Sequence, residues 1–65
     1  MTQQIQELVT KMNIAKVEHN IEVVKDCVNK MRELRGLSKV DFTWDEENQI
    51  LFLELGEATI AAIEF

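Results

Sequence analysis

The fold is decided by residues 40–65, whose sequence is VDFTWDEENQILFLELGEATIAAIEF. Apolar and polar residues alternate from Val40 to Asp45, as they do in a strand with one buried face. The polar run 45–48 is typical of a turn, and Gly56-Glu57 fits a two-residue turn that begins with glycine. These signals predict an antiparallel meander of three strands, at about 38–45, 49–55 and 58–65.

The residues before the meander follow a helical period. A heptad-like seam runs along them, and it contains Ile14, Val17, Ile21, Val24, Val28 and Met31. We predict one long helix over about 2–35, which Gly36 ends by taking the left-handed conformation. The alternative is a break near Asn13, where the apolar phase shifts. The fold class is therefore α+β, with residues 1–65 forming a single α-β-β-β domain without a linker or disordered tail.

The two turns also predict which side chains share a face of the sheet. If Asp45 pairs with Asn48 and Leu55 pairs with Ala58, one face holds the core against the helix. This face gathers Val40, Phe42, Trp44, Leu51, Leu53, Leu55, Ile60 and Ala62. The opposite face gathers Ile50, Phe52, Ala61, Ile63 and Phe65. A face that meets only water would be polar, so this second face is the predicted binding surface.

Composition bounds the chemistry of this chain of 65 residues. Its one cysteine, Cys27, cannot form an internal disulfide, and with His19 alone it cannot close a structural zinc site. The sequence contains no motif for a nucleophile, a paired acid and base, or a phosphate loop. We therefore predict no catalytic residue, no metal and no cofactor. We also predict no membrane span and a cytoplasmic location, where a free thiol stays reduced.

The net charge of −5 is unevenly distributed. Residues 1–35 hold six bases and five acids, whereas residues 36–65 hold seven acids and only Lys39. Such an acidic region repels phosphate, so we predict no nucleic-acid partner. It favours instead a protein with a basic surface.

These observations predict a non-enzymatic protein-interaction module. It would be a small, acidic, homo-oligomeric inhibitor or adaptor, a class that includes bacteriophage proteins, and it would act by occluding its partner. The predicted partner-binding residues are Trp44, Asp45, Glu46, Glu47, Ile50, Phe52, Ile63 and Phe65. The helical seam (Ile14, Val17, Ile21, Val24, Val28, Met31) is the predicted oligomer interface. Two alternatives stay open: a carrier of a small apolar ligand with a pocket between subunits, and a purely structural self-assembling subunit.

Overall fold

A computed structural model describes residues 2–65 of the chain. Two helices are followed by a three-stranded antiparallel sheet in the order β1-β2-β3. The elements are α1 (Thr2–Val17), α2 (Ile21–Leu34), β1 (Asp41–Asp45), β2 (Ile50–Leu55) and β3 (Ala58–Glu64). The predicted α+β class and the antiparallel meander are confirmed.

The prediction of one continuous helix is wrong, because the helical half bends back between α1 and α2. The break lies at residues 18–20, later than the alternative position near Asn13. His19 adopts a left-handed φ of 56°. The amides of His19 and Asn20 donate to the carbonyls of Lys16 and Ala15, which closes the end of α1 as a Schellman motif.

Asn20 then begins the second helix, since its side-chain oxygen accepts a hydrogen bond from the amide of Val23. Asparagine is among the preferred N-cap residues, and this was the sequence signal for the break. The sequence prediction treated only glycine and proline as helix breakers, and it therefore missed this break. The predicted role of Gly36 in ending the helical half is confirmed: Gly36 has φ 71°, and the amide of Leu37 donates to the carbonyl of Arg32.

The segment between α2 and β1 is fixed by side chains of α2. The amide oxygen of Asn29 accepts a hydrogen bond from the backbone of Val40 at 2.9 Å. Arg32 donates to the carbonyl of Ser38 at 2.6 Å. Because both bonds reach across the turn, they set where the first strand begins relative to the helix that covers it.

The first hairpin has a longer loop than predicted. Asp45 pairs with Ile50 rather than Asn48, so four residues form the loop, and Gln49 takes the left-handed conformation with φ 56°. The shift of two residues leaves the side chains of β1 and β2 on their predicted faces, because strand side chains alternate with a period of two. Phe42 therefore lies opposite Leu53 on the core face.

The second hairpin begins as predicted, with Leu55 opposite Ala58 and Gly56 at φ 64°. A β-bulge then interrupts the ladder: Glu54 pairs with Thr59, but Leu53 pairs with Ala61. The extra residue exchanges the two faces for the rest of β3. The predicted second-face positions of Ala61, Ile63 and Phe65 are therefore wrong, and so is the predicted core position of Ala62.

The core joins both helices to one face of the sheet. Its buried residues are Ala15, Val24, Val28, Val40, Leu51 and Leu53, and Trp44, Ile63 and Phe65 pack partly buried against them. The smallest extent of the Cα trace, 14 Å, corresponds to two layers. Cys27 is also buried, and this burial raises the pKa of its thiol.

The predicted helical seam is divided by this core. Val24 and Val28 are buried within the chain, and Ile21 packs partly buried against the core. Ile14 and Val17 lie on the far side of α1, where they are 56% and 81% exposed. The seam does not form one surface, because the break at His19 turns its two halves in different directions.

Replacing His19 with glycine tests the cause of the helix break. Glycine adopts the left-handed conformation without strain, so we expect His19→Gly to raise the free energy of unfolding by about 1 kcal/mol. Urea denaturation followed by circular dichroism measures the change. Gln6→Gly, inside α1, is the control and should lower the same quantity by about 0.5–1 kcal/mol. Equal losses in both variants would contradict the role of His19.

Candidate protein-binding face

Both helices lie on one side of the sheet, and no described element covers the other side, which we call the outer face. Strand pairing arranges this face in three rows. The rows are Asp45–Ile50–Glu64, Thr43–Phe52–Ala62 and Asp41–Glu54–Thr59. Neighbouring strands lie about 4.8 Å apart and successive rows about 7 Å apart. Ile50 and Phe52 therefore form an apolar spine on the central strand, flanked by smaller side chains.

Four carboxylates surround this spine, and no base shares the face with them. Asp41, Asp45, Glu54 and Glu64 belong to the outer face, whereas all seven lysines and arginines of the chain precede residue 40. Residues 41–65 contain seven acids and no base, a net charge of −7, which leaves +2 for residues 1–40. The outer face thus has an apolar centre and an anionic rim.

One pair of these carboxylates lies directly across the ladder. Asp41 faces Glu54 on the outer face, and like charges at opposed positions destabilise a sheet. The hydroxyl of Thr43 donates to the Glu54 carboxylate at 2.6 Å, which holds that side chain in place. Two opposed acids lower the local stability of the sheet, and violations of this kind are expected at functional sites.

The loop of the first hairpin continues the acidic rim. Both oxygens of the Asp45 carboxylate accept hydrogen bonds from Asn48, from its side chain at 3.0 Å and its backbone at 3.2 Å. These bonds stabilise the ionised form and lower the pKa of Asp45 below its ordinary value. The indole of Trp44 donates to the Glu46 carboxylate. Glu46 and Glu47 are both exposed at the tip.

The predicted partner-binding residues divide between the two sides of the sheet. Ile50 and Phe52 lie on the outer face, as expected, and Asp45 lies there beside Ile50. Three aromatic and aliphatic residues do not, since Trp44, Ile63 and Phe65 pack against the core on the helix side. The Trp44 and Phe65 rings meet edge to face at 5.2 Å. The sequence prediction did not include Asp41 and Glu54, although strand alternation places them on this face. Glu64 lies there only because the bulge exchanges the faces of β3.

The side chains that could support chemistry are separated. Within residues 2–65, no three His, Cys, Asp or Glu residues lie close enough to hold a metal ion. The His19 ring lies 6.1 Å from Phe65 rather than beside a nucleophile. A groove of about 380 Å³ where α1 meets α2 is lined mainly by charged and polar residues such as Lys11, Asp26 and Glu33. No described helix is long and apolar enough to cross a membrane.

Neutralising Asp41 tests the repulsion on the outer face. We expect Asp41→Asn to raise the free energy of unfolding by about 0.2–1 kcal/mol, because Glu54 then faces no like charge. The gain should shrink at high salt, which screens surface charges. Asp26→Asn is the control, since Asp26 lies on α2 and faces no strand residue. Chemical denaturation at two salt concentrations measures both variants, and an equal response from them would contradict the repulsion.

The hydrogen bonds to Asp45 predict a pH dependence. Because the folded pKa lies below the unfolded one, the stability from these bonds is complete above the unfolded pKa. It is lost as the pH falls through the folded pKa. Asn48→Ala should return the Asp45 pKa toward its ordinary value, as measured by NMR titration of the carboxyl carbon. Asn13→Ala should leave that pKa unchanged, and an unchanged pKa in Asn48→Ala would refute the assignment.

Comparison with known proteins gives no relative from which to transfer a function. No family model, curated protein or solved structure matches the chain. A function for this chain therefore has to be inferred from the side chains that its own fold brings together, and the outer face is the surface on which they converge.

Proposed function

We propose that this chain is a non-enzymatic protein-interaction module that binds a basic surface of another protein through its outer face. The observation that carries the proposal is the apolar spine of Ile50 and Phe52 inside a rim of four carboxylates. Protein interfaces have the same plan, with an apolar centre and a polar rim. Asp41, which opposes Glu54 at a cost in stability, fits a face selected for binding.

The apolar spine would supply the buried centre of the contact. Ile50 and Phe52 are only half-buried although they occupy the central strand, and the neighbours of Phe52, Thr43 and Ala62, are small. The spine consequently stands above its neighbours as a ridge. A partner groove that encloses the ridge would remove its apolar surface from water, at roughly 25 cal/mol for each Å².

The carboxylates would select the partner and accelerate its approach. A face with four acids and no base attracts a cationic surface at long range and repels anionic ones, including nucleic-acid phosphates. Charge complementarity of this kind governs association rate and partner choice more than affinity. The partner would thus present basic residues around an apolar groove, and the module would act as an inhibitor or adaptor by occluding that surface.

We also propose that the protein works in a reducing compartment such as the cytoplasm, because its cysteine is free. Its single cysteine has no disulfide partner within the chain, and Cys27 is buried. Free cysteines are usual in reducing compartments and uncommon outside them.

A matched pair of double variants tests the function. Asp41→Asn/Glu64→Gln removes two charges from the outer face, whereas Glu18→Gln/Glu33→Gln removes two exposed charges from the helical half. Proteins captured from a lysate of the source cells by the wild type are identified, and the Kd of the captured partner is measured for each form. We expect the outer-face variant to bind about tenfold more weakly. Its affinity should also depend less on salt.

Two results separate the proposal from a general effect of charge. The helix variant should bind as the wild type does, although its net charge changes equally. Phe52→Ala should shorten the lifetime of the complex, because it removes most of the ridge. Equal affinity of the wild type and the outer-face variant, or equal losses in the two double variants, would refute the proposal.

A further inference from the structure

The strand β3 has an unpaired edge of unusual composition. Among the strands of residues 2–65 only β1 and β3 are edges. β1 has Asp41 and Asp45 at its two ends, and charges at an edge discourage pairing. β3 has no charged residue before Glu64 and is exposed along most of its length. Beyond its bulge, residues 61–64 pair regularly with β2, and the uncharged part of this regular edge is a template for another strand.

Specific backbone groups point away from the sheet at this edge. The amide of Phe65 donates to the carbonyl of Gln49, so Phe65 belongs to a hydrogen-bonded pair of the β2–β3 ladder. Backbone groups alternate in direction along an antiparallel strand. Those of Ile63 therefore point toward β2, and those of Ala62 and Glu64 point to the free edge.

We infer that two copies of this chain pair through β3 in an antiparallel, two-fold symmetric dimer. The two-fold axis passes through the pair formed by Ala62 and Ala62 of the second copy. Any such axis stands perpendicular to the sheet and keeps each face on its own side. This inference does not rest on the proposed function.

Side-chain shape supports a second copy as the occupant of the edge. In this register Ala61 lies opposite Ile63 of the second copy on the helix side of the sheet. Ala61 is exposed there, although it faces the side that the helices cover. A small residue beside a large one fits closely across strands, so the second copy fills the space that the helices leave open.

Charge placement also permits the pairing. The two Glu64 residues would lie about 14 Å apart, since four residues along the strand and one strand spacing separate them. That distance exceeds the screening length of about 8 Å at physiological salt, so their repulsion is weak.

The dimer would hold a continuous six-stranded sheet with all four helices on one side. Both outer faces would then lie together on the other side. Pairing through β3 replaces the helical seam as the route to an oligomer, because Val24 and Val28 are already buried inside each copy.

Sedimentation equilibrium tests the dimer with the full chain. The wild type should change from 7.6 kDa to twice that mass as its concentration rises. Ala62→Pro removes an amide that points to the free edge and leaves the β2 ladder complete, a change that edge strands accept. Two hydrogen bonds across the axis are lost, so we expect the dimer Kd to rise roughly ten- to hundredfold.

Further variants keep the test decisive if Ala62→Pro fails to fold. Ala61→Asp places a short charge against Ile63 of the second copy and should also give a monomer. Ala58→Asp, in the same strand but outside the paired residues, should remain dimeric, as should Val17→Asp on α1. Amide exchange of Ala62 and Glu64 should slow when the dimer forms. The inference is overturned if the wild type stays monomeric at high concentration or if Ala62→Pro is folded and dimeric. It is also overturned if the two alanine-to-aspartate changes have equal effects or if Val17→Asp dissociates the dimer.

Discussion

The contact between α2 and the central strand is the constraint on which the rest of the structure depends. Val24 and Leu51 are fully buried, and Val28 and Leu53 extend the same contact. A chain of this length has enough apolar residues to form only one such core. Once both helices cover one face of the sheet, the other face has no cover from the described residues, and its apolar spine becomes surface.

A single extra residue in β3 determines what that surface contains. The bulge between the pairs Glu54–Thr59 and Leu53–Ala61 moves Ile63 and Phe65 to the helix side. There Phe65 meets Trp44 and closes the end of the core. The outer face receives Ala62 and Glu64 in exchange. Without the bulge, the outer face would be a broad apolar surface. With the bulge, its apolar part narrows to the ridge of Ile50 and Phe52, and acidic residues lie around this ridge.

Charge is separated between the two halves of the chain. All bases precede residue 40, and the only charged residues in the sheet that follows are acids. This separation adds little to folding, since exposed charges contribute little and Asp41 opposes Glu54 across the ladder. It does give the outer face a single sign of potential. The proposed binding function would account for both the uniform charge and the unfavourable pair, whereas solubility alone would be served by mixed charges.

The sequence by itself determined the meander and the ends of α2 and β2 at Gly36 and Gly56, because glycine conformation and alternation act over a few residues. It also predicted which side chains of β1 and β2 share a face. Only the tertiary structure decided the break at His19, the four-residue loop after Asp45 and the bulge in β3. Local sequence preferences do not decide these three features. A non-glycine residue takes a left-handed conformation, or a ladder skips a residue, only when packing elsewhere in the fold offsets the strain. Glu64 joins the rim of the outer face, and Ile63 and Phe65 join the core, only because of the bulge, which is why these positions could be located only in the folded chain.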